Sequence, residues 1–224
     1  DYELAVLTVT NENGGKVKLT ETNGKFAFTM PASKVTVEAA FTATAGKAEN
    51  PFTDVPGDAY FADAVIWAVG KGITSGTTAT TFSPNASCTR GQMVTFLWRA
   101  AGSPASASSK MPFTDVPVTA YYYDAVLWAV EQGITSGTTA TTFSPNATVT
   151  RAQAVTFLWR AAGSEVIQTA APFVDVKYGM YYYNAVAWAV ENDITNGTSQ
   201  TTFSPTQNCT RAQIVTFIWR YMGA

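Results

Sequence analysis

The chain has 224 residues, 46% of them hydrophobic and 13% aromatic, enough for a substantial core, and only 13% charged, about half the usual share. A formal net charge of −2 argues against nucleic acid or an anionic membrane surface as partner, and no apolar run approaches the ~18 residues that span a bilayer. The absence of His excludes His-based nucleophilic triads and His-containing zinc sites, and two Cys are too few for a disulfide framework or a Cys-only metal site, so no metal and no cofactor is expected. The chain opens in mid-pattern at Asp1 without Met and reads as a piece of a larger protein, whose upstream part has room for an enzyme.

Residues 1–45 alternate apolar and polar over 4–10, 16–20, 25–30 and 34–41. Asn13-Gly14 and Asn23-Gly24 punctuate them. This pattern predicts a small antiparallel β segment of successive hairpins with a thin core. Residues 46–51 read as a linker.

From residue 52 onward one unit occurs three times without an internal gap, over 52–102, 113–163 and 173–223. Every copy keeps the frame F-x-D-V, A-V-x-W-A-V, I-T-x-G-T, T-F-S-P and T-R-x-Q-x-V-T-F-x-W-R. Self-similarity at a fixed period means units that bury their apolar faces against each other. Each unit reads as helix–loop–helix. The first helix is predicted over 60–71, 122–132 and 182–192. Gly72 and Gly133, and Asp193 in the third copy, stand where a C-terminal cap belongs. The second helix opens with a capping box, Thr89/Gln92, Thr150/Gln153 and Thr210/Gln213. It is apolar nearly all round, so the three copies are expected to share one core. Cys88 and Cys209 occupy one repeat position, held by Val149 in the middle copy, and read either as buried free thiols or as a disulfide.

Arg90, Arg151 and Arg211 stand at the first position of the second helix, where a cation opposes the helix dipole by about 0.3–1 kcal/mol. A local rule broken three times in register points to compensation or use. One use is an anion site, since a guanidinium beside a helix N-terminus matches a carboxylate or phosphate. The other is an internal ion pair, for which Asp54, Asp115 and Asp175 are the partners present in every copy. Asp63 and Asp124 are weaker, because the third copy has Asn184. Arg99, Arg160 and Arg220 sit at the C-terminal end, where the dipole favours them, and are expected to serve the fold while the first set serves a ligand. Trp67, Trp128 and Trp188, with the tyrosines beside them, offer faces for sugar rings or belong to the core. Trp98, Trp159 and Trp219 read as core. Gly76, Gly137 and Gly197 mark tight turns whose backbone N–H groups are candidates for ligand contact. Acids are too few and too irregularly spaced for a glycosidase carboxylate pair, so this stretch is not expected to be an enzyme.

F-x-D-V, A-V-x-W-A-V, I-T-x-G, T-F-S-P and T-R-x-Q, in that order and three times over, with G-I-T-x-G, T-F-S-P-N and T-R-A-Q each complete in two copies, resemble the S-layer homology domains of Gram-positive cell-surface proteins. The resemblance covers residues 52–223, and residues 1–45 resemble the end of a β-rich surface-protein repeat. The family implies a mainly α fold, with three repeats in a pseudo-threefold assembly around a central helical bundle. It also implies an extracellular, cell-wall location. Its role is non-covalent anchoring through a secondary cell-wall polysaccharide, often pyruvylated, held in grooves between repeats. The carbohydrate-binding set it suggests is Arg90, Arg151 and Arg211, Asp54, Asp115 and Asp175, together with the Trp and Gly triplets above. Assembly with other surface-layer proteins is the alternative. The chain departs from the family's T-R-A-E by carrying Gln for Glu throughout and Gly91 for Ala in the first copy. The third copy also has Asn196, Thr206 and Gln207 where the others have Ser, Asn and Ala.

Overall fold

The computed structural model describes residues 2–22, 25–43 and 49–223. The turn expected at Asn23-Gly24 and the linker positions 46–48 lie outside the described residues. The chain divides into two compact units, 1–49 and 50–224.

In the first unit, β1 (Tyr2–Asn11) and β4 (Val35–Ala43) form an antiparallel pair, with a register shift between Leu4 and Val6. A short hairpin, β2 (Thr20–Thr22) with β3 (Lys25–Ala27), makes a second sheet. This differs from a chain of successive hairpins. The Asn13-Gly14 turn does form, with Gly14 at φ 78° and Asn11 Oδ1 accepting the N–H of Asn13 and Gly15. The strand after it nevertheless reduces to an isolated bridge, Thr10 with Lys16. Val9 is buried, but Val6, Val37 and Met30 are exposed, so little apolar area holds more strand in place.

The described residues of the second unit form six helices: α1 (Ala62–Gly70), α2 (Arg90–Ala100), α3 (Tyr123–Glu131), α4 (Arg151–Ala161), α5 (Tyr183–Glu191) and α6 (Arg211–Met222). The first helix of each copy is a little shorter than predicted. Its expected opening residues are taken up by a turn in which Ala62 N–H donates to the Ala59 carbonyl. Its end is a Schellman motif: Gly72 N–H reaches the Val69 carbonyl and Ile73 N–H the Ala68 carbonyl, with Gly72 at φ 68°. Asp193 takes the same left-handed role in the third copy at φ 54°. All three capping boxes are complete.

The sequence unit is not the packing unit. α3 packs on α2, α5 on α4 and α1 on α6, so each first helix lies against the second helix of the preceding copy. The second helices α2, α4 and α6 contact one another and form the central bundle. Just before these helices the chain closes a ring across the pseudo-threefold axis. Cys88 N–H donates to the Cys209 carbonyl, Cys209 N–H to Val149 and Val149 N–H to Cys88, each at 2.9 Å. Cys88 and Cys209 are free, fully buried thiols, and burial pushes both up to about 12. One core cluster runs through all three copies.

Candidate functional site

The loop between the two helices of each copy is built on itself. Asp54 Oδ1 and Oδ2 accept the N–H groups of Phe82 and Ser83, each at 2.8 Å. Asp115 does the same for Phe143 and Ser144, and Asp175 for Phe203 and Ser204. The clamp holds Ser83, Ser144 and Ser204 at φ 58°, a left-handed conformation that serine adopts only when fixed. Gly76, Gly137 and Gly197 are at φ 82° to 87°. A Cβ at Gly137 would fall 2.5 Å from both the Phe113 ring and the Thr139 carbonyl, so the turn requires glycine.

The clamp aims a carbonyl at the neighbouring copy. Phe143 O accepts Nε of Arg90 at 2.9 Å, Phe203 O accepts Arg151 at 2.7 Å and Phe82 O accepts Arg211 at 2.9 Å. Each guanidinium also lies over two Phe rings, Arg90 at 4.8 Å from Phe143 and 5.2 Å from Phe157. Arg151 and Arg211 repeat this within 4.7–5.6 Å. These contacts offset the unfavourable helix dipole, each ring adding about 0.5–2 kcal/mol. The direct ion pair with Asp54, Asp115 or Asp175 is therefore replaced by a relay through one peptide. The helix N–H groups are also committed. Arg90 N–H bonds Ala147 O, Gly91 N–H bonds Pro145 O and Gln92 N–H bonds Thr89 Oγ1, so none of these three is free for an anion.

The guanidiniums keep hydrogen-bonding capacity that the fold does not use. Arg90, Arg151 and Arg211 are 2–3% exposed, and burial pushes each below the ordinary arginine range. Nη2 of Arg90 and of Arg211 is buried without any hydrogen-bond partner, while Nη2 of Arg151 reaches Thr195 Oγ1 at 3.4 Å.

Three cavities open beside these groups, of about 320, 330 and 470 Å³. Each draws on all three copies. Arg90 of the first copy meets Thr135–Thr138, Gln153, Thr156 and Arg160 of the second and Tyr181 of the third. Arg211 likewise meets Arg99 and Tyr121, and Arg151 meets Arg220 and Tyr60. Every cavity thus holds two guanidiniums, and no acid lines any of them. Gln92, Gln153 and Gln213 commit Oε1 to the capping box and also line the cavities.

Both arginine sets hold backbone carbonyls and both line the cavities. Arg99, Arg160 and Arg220 each hold a carbonyl, of Ile73, Ile134 and Ile194, and also line the cavities, whereas the first set is the more buried. Gly76, Gly137 and Gly197 line them as well. Asp54, Asp115 and Asp175 act one peptide behind. Trp67, Trp128 and Trp188 line none of the three cavities. Trp128 and Trp188 are in the core and Trp67 packs against it. Trp98, Trp159 and Trp219, expected in the core, are half-buried at its edge. The aromatic side chains that do reach the cavities are Tyr60, Tyr121 and Tyr181, together with Phe96, Phe157 and Phe217.

The Asp115 clamp gives a direct test. Asp115→Asn keeps one acceptor and sets an amide against the second N–H, so the unit should lose about 2 kcal/mol. Thermal unfolding should show a fall of about 4–8 °C.

The S-layer homology domain model matches residues 51–94, 112–155 and 172–215, more than half of the chain. The chain belongs to the S-layer homology domain family. An endoglucanase of Bacillus sp. (strain KSM-635) is 38% identical over 109 residues, 49% of this chain and 11% of that protein. A surface-layer 125 kDa protein of Lysinibacillus sphaericus is 32% identical over 139 residues, 62% of this chain and 12% of that protein. An S-layer protein of Bacillus thuringiensis subsp. finitimus is 28% identical over 196 residues, 86% of this chain and 23% of that protein. The chain spans less than a quarter of the length of each of these relatives. As an S-layer homology triplet it is a cell-surface, cell-wall module whose general role is anchoring. No helix among the described residues is long and apolar enough to cross a membrane.

Proposed function

We propose that the three cavities bind an anionic secondary cell-wall polysaccharide non-covalently, with the carboxylate of a pyruvate ketal as the recognised charge. The observation that carries this reading is the pair of guanidiniums in each cavity with no acid beside them, in a chain of net charge −2. A buried guanidinium nitrogen without a partner is costly, and a carboxylate oxygen would satisfy it through a charge-assisted bond worth about 1.5–3 kcal/mol. Tyr60, Tyr121 and Tyr181 are exposed and provide aromatic surface for the sugar ring. The cavities beside Arg90 and Arg211 are the stronger sites. In the third, Thr195 already engages Arg151, and Asn196 and Gln207 alter the wall.

An endoglucanase and surface-layer proteins that are similar over this stretch fit an anchor joined to different cargoes, which favours binding over catalysis as the role of this stretch. Assembly with other surface-layer proteins is the second reading, favoured by the exposed Val174, Tyr178 and Met180 of the third copy.

Purified wall polymer, intact and chemically depyruvylated, separates the readings in a calorimetric titration. The intact polymer should bind, with affinity falling moderately as salt rises, and the depyruvylated form should not. Equal affinity for both would remove the carboxylate, and binding only to surface-layer protein would favour assembly.

A further inference from the structure

A fourth cavity, of about 600 Å³, lies between the linker 103–109, α2 and α3 and shares no lining residue with the three cationic ones. Its linker wall is fastened at two points. Trp98 Nε1 donates to the Pro104 carbonyl at 2.9 Å, and Ala107 N–H donates to both carboxylate oxygens of Glu131 at 3.1 and 3.2 Å. Trp98, Tyr123 and Leu127 supply apolar and aromatic surface, and Asp124 and the linker serines supply polar groups. No cation lines it. Ser106 Oγ, one of these polar groups, is buried with no hydrogen-bond partner. An orphaned buried hydroxyl is rare and calls for a partner.

The chemistry is the inverse of the cationic sites: aromatic surface, one carboxylate and several hydroxyls. A ligand that suits it has an apolar face, hydroxyls or amides that donate to a carboxylate, and no negative charge. We propose that this cavity is a binding site for a neutral saccharide unit, with Asp124 and Ser106 as its hydrogen-bonding groups and Trp98 and Tyr123 as its aromatic walls. It also gives a place to Asp124, which the cationic cavities do not use. The inference does not depend on the anionic reading above.

The test is an NMR titration of the ¹⁵N-labelled full chain with the neutral disaccharide N,N′-diacetylchitobiose. The Trp98 indole resonance is assigned through Trp98→Phe. A saturable shift of that resonance is expected, with affinity reduced about tenfold in Asp124→Ala, where a charged acceptor is lost. Ser106→Ala should weaken binding less. Asp124 is exposed, so its substitution leaves the fold intact, which the remaining indole resonances report. Absence of a saturable Trp98 shift, unchanged affinity in Asp124→Ala, or shifts confined to the cationic cavities would overturn the proposal. A failure here leaves the response to depyruvylation untouched, and the reverse also holds.

Discussion

The middle repeat expressed alone, residues 113–163, is expected to remain unfolded, with no cooperative melting transition. Its α3 is covered by α2 of the first copy, and its α4 is covered by α5 of the third. Val149 loses both its ring partners, Cys88 and Cys209. Arg151 loses the Phe203 carbonyl and both its aromatic neighbours, all of which belong to the third copy. The apolar faces of α3 and α4 would lose the helices that cover them, against a backbone entropy cost of about 1–2 kcal/mol per residue. Circular dichroism of the fragment beside the full chain decides the matter, and a sharp independent transition in the fragment would refute a shared core.

Arg211→Ala should both destabilise the unit and remove one site. Truncation deletes the bond to Phe82 O and the contacts with the Phe82 and Phe96 rings. It leaves that carbonyl without its partner, at an expected cost of about 3 kcal/mol from the hydrogen bond and the rings together. Arg160→Ala should cost less stability, since Arg160 is half-buried and holds one carbonyl, yet it should weaken binding at the cavity that Arg160 shares with Arg90. Thermal melts and calorimetry on both variants separate these contributions. Arg211→Ala with an unchanged Tm would mean that the buried guanidinium contributes nothing net to the fold.

Local chemistry was legible in the sequence wherever a few neighbouring residues carry it. Thr and Gln three apart specified each capping box, and Gly72 and Gly133 specified the left-handed helix ends. The dipole conflict at Arg90, Arg151 and Arg211 pointed to side chains with a further partner. That partner could not be read, because it is a peptide carbonyl more than fifty residues away in the next copy. Periodicity likewise shows that a helix has an apolar face but not which copy covers it, so the exchange of helices between repeats stayed hidden. The tryptophans were the ambiguous case. A buried indole and a sugar platform require the same residue, and only packing places Trp128 and Trp188 in the core and Tyr121 and Tyr181 at the cavities. The capping role of the glutamines is plain in the sequence, whereas their place in the cavity walls depends on packing between copies.

A crystal structure of the chain with a pyruvylated N-acetylmannosamine fragment of the wall polymer would show directly whether the buried arginines recognise the carboxylate. The ketal carboxylate is expected within hydrogen-bond distance of Nη2 of Arg90 and of Arg211, with Tyr181 and Tyr121 against the sugar and the cavity at Arg151 filled last. A fragment bound with its carboxylate away from all three of these arginines, at the exposed Tyr178 face for instance, would contradict that expectation.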